Sequence, residues 1–182
     1  MDSAAAFKAA PPRPPFPGTN VFARILLFAA SLVALIVMLT AKQSKDIQVP
    51  PSPFAVSVTA KFTSSPANKY FVAAMAFTCL YSVLSTIACL ANAKSTRILV
   101  YLIFCDAVTL GVAAAATGAA GAVGYIGWKG NEAAGWSKIC FLYDTYCRHI
   151  ASSLAVSLLC SILLLLLTFL SARSLHSCIP RT

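Results

Sequence analysis

Four apolar stretches, each long enough to cross a bilayer, dominate this sequence: roughly 22–41, 70–91, 98–123 and 150–170. A hydrocarbon core about 30 Å thick needs about 20 mainly apolar residues per helical crossing. No water reaches that core, so each crossing must satisfy its own backbone N–H and C=O groups, and a helix does this within one segment. The expected fold class is therefore an all-α membrane protein, a four-helix transmembrane bundle. Mean hydropathy of +0.79 and a charged fraction of 10% exclude an ordinary soluble domain. The first run follows a tail of about twenty residues and exceeds the about 7–15 apolar residues of a signal-peptide core, so it is expected to stay as an anchor.

These spans divide the chain into a Pro-rich tail (1–20), a membrane domain (21–172) and a second short tail (173–182). Pro11-Pro12-Arg13-Pro14-Pro15-Phe16-Pro17 favours polyproline II, either as a docking segment or as a stiffened tail. Gly18, Thr19 and Asn20 offer a flexible point and two N-caps, so the first helix is expected to start near Val21. An even number of spans puts both tails on one side. Basic residues split evenly between the two sides, and the tie is broken by Lys94 and Arg97 in a very short loop and by Arg173 just after the fourth span. Cys140 and Cys147, in the loop opposite the tails, suit an oxidising exterior. Both tails are accordingly expected in the cytosol.

The formal net charge of +9 does not point to nucleic acid, because the basic residues are scattered over both faces. Anchoring to membrane lipids by snorkelling Lys and Arg explains most of it. In the first exterior loop, Phe54, Val56, Val58, Ala60 and Phe62 alternate with smaller or polar residues, predicting a short exterior β segment with one apolar face. Tyr125, Trp128, Trp136, Phe141, Tyr143 and Tyr146 in the second loop either cover that face or form an interfacial aromatic belt. The third span carries Gly111, Ala114, Ala115, Gly118 and Gly121 at small-xxx-small spacing, predicting close helix packing with this helix at the centre.

Asp106 is the one acidic residue within an apolar span. A lone Asp at mid-membrane costs roughly 3 kcal/mol on insertion scales, so it is expected to face a bundle interior, a partner charge or a cavity. With both helices entering from the cytosol, Arg24 lies roughly 6–7 Å deep and Asp106 roughly 13 Å deep, a gap an Arg side chain can bridge. The N-terminal lean of helical side chains argues instead for Arg24 as an interface anchor. For Asp106 the readings, in order, are a structural ion pair or network, a neutral hydrogen-bonded carboxyl, and a proton or ion pathway. A small oligomeric channel or proton-coupled transporter using Asp106 is the alternative function, disfavoured because no further intramembrane residue is seen to form a relay.

Cys140 and Cys147 have six residues between them and are expected to close a disulfide ring. Zinc is not expected, since Cys-x-x-Cys spacing is absent and His149 is the only extra ligand nearby. Cys79, Cys89, Cys105 and Cys160 fall in spans and read as packing residues, while Cys178 follows the last span as a silent thiol or a palmitoylation site. The two histidines, His149 and His176, fall on opposite sides, no Gly-rich phosphate motif occurs, and Cys147 beside His149 is already assigned to a bridge. No enzyme activity and no cofactor are expected.

An Arg in the first span, an Asp in the third, the stretch Phe62-Thr63-Ser64-Ser65-Pro66-Ala67 leading into Tyr70-Phe71-Val72, and the segment Cys140-Phe141-Leu142-Tyr143-Asp144-Thr145-Tyr146-Cys147 resemble the plant Casparian strip membrane domain protein-like (CASP-like) family, its first subfamily above all. That family is similar in topology to MARVEL-domain proteins. The resemblance implies a multi-pass plasma-membrane scaffold with cytosolic termini that forms homodimers or heterodimers with relatives, and it extends to exterior cell-wall enzymes as partners. It also implies Arg24 with Asp106 as the structural pair and Cys140 with Cys147 as the loop bridge. The first exterior loop, Lys42 to Lys69, departs from the strip-forming members in lacking an acidic-aromatic signature.

Overall fold

The computed structural model describes residues 17–48, 55–91 and 96–178. The Pro-rich stretch before Pro17, Lys94 and Phe54 lie outside them, as does the side chain of Cys178. The chain forms α1 (Pro17–Leu39), a hairpin of β1 (Lys42–Gln48) and β2 (Ala55–Lys61), α2 (Pro66–Ala91), α3 (Thr96–Lys129) and α4 (Asp144–Cys178). All four helices are long and apolar enough to cross a membrane.

The helices start earlier and run longer than hydropathy alone predicts. α1 opens at Pro17 rather than near Val21, and α2 at Pro66, because the first-turn N–H that proline lacks has no intrahelical acceptor anyway. Gly18, Thr19 and Asn20 thus form the first turn instead of capping it. At about 1.5 Å per residue, α3 and α4 each extend about 50 Å, well past the about 30 Å hydrocarbon core. Apolar composition marks only the part of a helix inside lipid, whereas backbone hydrogen bonding continues into the polar flanks.

α1 packs against α2 and α4, and α3 against the same two helices, so α1 and α3 stand at opposite corners of a four-cornered bundle. Leu27, Ala34, Met38, Phe71, Met75, Ala113, Ala116, Leu164 and Leu167 fill its centre. Leucines and aromatics such as Leu80, Leu84 and Phe104 point outward, where lipid tails are as apolar as they are.

The expected β segment has a partner that the pattern did not reveal. β2 pairs antiparallel with β1, in register from Lys42 opposite Lys61 to Gln48 opposite Ala55. Phe62 falls in a short 3-10 turn after the strand rather than in it. The side chains of residues 45–48 and 55–58 lie outside the described ones, so the expected apolar face does too. The second loop does reach the hairpin. The Tyr146 N–H donates to Gln43 Oε1 at 3.0 Å, its hydroxyl donates to the Lys61 carbonyl at 3.2 Å, and Asn68 Nδ2 donates to that hydroxyl at 3.2 Å. Of the loop aromatics, Tyr143 is buried and Tyr146 half-buried, while Tyr125, Trp128, Trp136 and Phe141 stay exposed.

Candidate functional site

Arg24 is the eighth residue of α1 and Asp106 the eleventh of α3, so each lies more than one turn inside its helix. The early start at Pro17 carries Arg24 deeper than a start at Val21 would, to within about 5 Å of the axial level of Asp106 if the two helices begin at one level. The side chain therefore turns into the bundle rather than back toward the membrane surface. Nη1 donates to Oδ1 at 3.1 Å and Nη2 to Oδ2 at 2.8 Å, a two-pronged bond of the kind the planar guanidinium is shaped for. Both side chains are sealed from solvent, at 1% and 0% exposure.

A third group completes the layer. The Tyr81 hydroxyl, from α2, donates to Asp106 Oδ1 and lies 3.4 Å from the Leu102 carbonyl oxygen. Arg24 and Tyr81 thus engage both carboxylate oxygens. One polar layer thus ties three helices together, including the two at opposite corners. Tyr81 carried a usable signal in the sequence: it stands in the middle of a span, where a phenolic O–H needs a buried partner.

More buried polar groups exist than the expected absence of a relay allows. Ser31 Oγ lies 3.1 Å from Cys79 Sγ, Ser153 donates to the Ala34 carbonyl at 2.7 Å, and Thr117 donates to Ser157 Oγ at 3.0 Å. These contacts join neighbouring helices. Among the described residues none of these contacts includes Asp106, and Ser31, Thr117 and Ser157 also bond a carbonyl of their own helix three or four residues back.

The small-residue stripe of α3 points the other way from the packing expected of it. Gly111, Ala114, Ala115 and Gly118 are exposed, Gly121 is half-buried, and a Cβ added at any of the three glycines would meet nothing within 4 Å. The bundle contacts of α3 come from Ala113, Ala116 and Ala120, on the opposite face. Both faces of this helix are small, and the polar anchor at Asp106 selects which one turns inward.

Cys140 and Cys147 are joined by a disulfide with a Cα–Cα separation of 5.7 Å. The N–H groups of Ile139 and Cys140 both donate to the Gly127 carbonyl, at 2.9 and 3.0 Å, folding the loop back onto the end of α3. Cys79, Cys89, Cys105 and Cys160 are free thiols.

Comparison with known proteins places these features in a family. The profile described as Casparian strip membrane protein domain matches residues 13–163. CASP-like protein 1D1 of Populus trichocarpa is 45% identical over 94% of this chain and 89% of its own length. CASP-like protein 1D2 of Glycine max is 49% identical over 89% and 85%. CASP-like protein 1D1 of Arabidopsis thaliana is 45% identical over 87% and 83%. No solved structure matches. With a four-helix membrane bundle, and sequence similarity over most of its length, the chain belongs to the CASP-like family, in its first subfamily.

Proposed function

We propose that this protein is a non-enzymatic scaffold of the plasma membrane, with both termini in the cytosol, that associates with copies of itself or with relatives to organise a membrane domain. The observation that carries the reading is the outward stripe of Gly111, Ala114, Ala115 and Gly118, a strip of low relief along which a second helix can approach closely in lipid. The buried polar layer supports it from within. Nη1 and Nη2 of Arg24, the Asp106 carboxylate and the Tyr81 hydroxyl bond to one another, which penalises wrong helix registers and leaves the outer faces for partners. The disulfide loop supports an exterior location for the segment 130–143, from which exterior cell-wall enzymes are reachable. An Asp106 held on both oxygens argues against the channel or transporter reading.

Photobleaching of a fluorescently tagged copy at the cell surface tests the proposal. Recovery confined to a bounded domain, and energy transfer between differently tagged copies, are expected. Free diffusion of a monomer over the whole surface overturns it.

A further inference from the structure

Toward the end of the bundle that holds the disulfide, α3, α4 and the loop between them line an open groove of about 750 Å³. One wall is a stripe of α3, Gly121, Gly124, Tyr125, Trp128 and Lys129, spaced three and four residues apart so that all share a face. Ala151 and Leu154 of α4 stand opposite its deep end, Arg148 and Asp144 opposite its mouth, and the Lys138–Phe141 segment closes the top. We propose that this groove holds one anionic phospholipid of the adjacent leaflet, its acyl chain along Gly121, Ala151 and Leu154 and its phosphate among Lys129, Lys138 and Arg148.

Three observations carry the assignment. Trp128 and Tyr125 are exposed side chains of the kind that sit at head-group level. Gly121 is seven residues below Trp128 on the helix, about 10 Å deeper and so within hydrocarbon, where only an apolar chain can lie. The mouth carries three cations against one carboxylate, Asp144. Lys129 stacks over the Trp128 ring at 5.0 Å, and none of the three basic groups has a carboxylate partner among the described residues. A second copy is the poorer occupant, because the chain carries 14 Lys and Arg against 5 Asp and Glu and would bring like charge to the mouth. Three cations at one mouth attract a lipid phosphate whose charge is not offset within its own head group. The space beside Gly121 is open, since a Cβ there would meet nothing within 4 Å.

The site is tested on the purified full chain in detergent, mixed with equal amounts of phosphatidylglycerol and phosphatidylcholine bearing the same acyl chains, with bound lipid read by native mass spectrometry. Phosphatidylglycerol is expected in excess, and the excess is expected to fall about fivefold for each of Lys129→Gln, Lys138→Gln and Arg148→Gln. Gly121→Phe fills the deep end and removes the adduct of either lipid. Lys42→Gln with Lys69→Gln, exposed cations on the same side but outside the groove, leaves the preference intact. Equal retention of the two lipids, a preference that survives the three groove substitutions, or an equal loss in the Lys42/Lys69 control overturns the proposal. So does a dimer that Gly121→Phe dissolves, which would make a second copy the occupant.

Discussion

The backbone N–H of Tyr146 on α4 donates to the side-chain oxygen of Gln43 on β1 at 3.0 Å, joining two segments more than a hundred residues apart in sequence. Tyr146 directly precedes Cys147, so the disulfide and the hairpin share one attachment point.

Reduction of the bridge, or Cys140→Ser, is therefore expected to loosen the neck of the hairpin as well as the loop. Hydrogen exchange should rise in Lys42–Ser44 and Thr59–Lys61 while the centres of the four helices keep their protection. Unchanged exchange in the hairpin after complete reduction would show that the two are independent.

Asp106→Ala leaves the Arg24 guanidinium buried without its partner, and loss of one member of such a pair typically costs about 3–5 kcal/mol. Thermal unfolding of the purified protein should show a large drop, accompanied by poor surface delivery. The double substitution Arg24→Leu with Asp106→Leu should recover much of the stability while losing register specificity. Equal damage in the single and double variants would refute this account.

Tyr81→Phe removes only the hydroxyl. The Arg24 bonds to Asp106 remain, and the expected cost is that of one hydrogen bond to a charged group, about 1.5–3 kcal/mol. A loss as large as that of Asp106→Ala would mean that the hydroxyl, rather than the guanidinium–carboxylate bonds, holds the layer together.

Gly118→Leu separates folding from association. The side chain enters open space on the outer face, so the stability of the single chain is expected to change by no more than about 0.5 kcal/mol. Energy transfer between tagged copies should fall, because a bulky residue keeps helices apart. Unaltered transfer would move the association surface elsewhere.

Much of this arrangement is legible in the residues. Four apolar runs dictate four helices, and Asp106 in one of them calls for a polar partner, for which Arg24 is the basic residue within side-chain reach. What periodicity cannot convey is rotation: α3 offers small residues on two faces, Ala113-Ala116-Ala120 and Gly111-Ala115-Gly118, and spacing alone does not say which turns inward. β1, with the sequence Lys-Gln-Ser-Lys-Asp-Ile-Gln, has no apolar alternation to announce it. It is a strand because β2 supplies the backbone partner.

Four rods joined only to their neighbours make a frame that can lean, each corner acting as a hinge while every side keeps its length. Arg24 and Asp106 sit on opposite corners, and the bond between them is a cross-brace that resists this skewing. A single strut inside the bundle thereby governs the angles at which the outer faces meet the surrounding membrane.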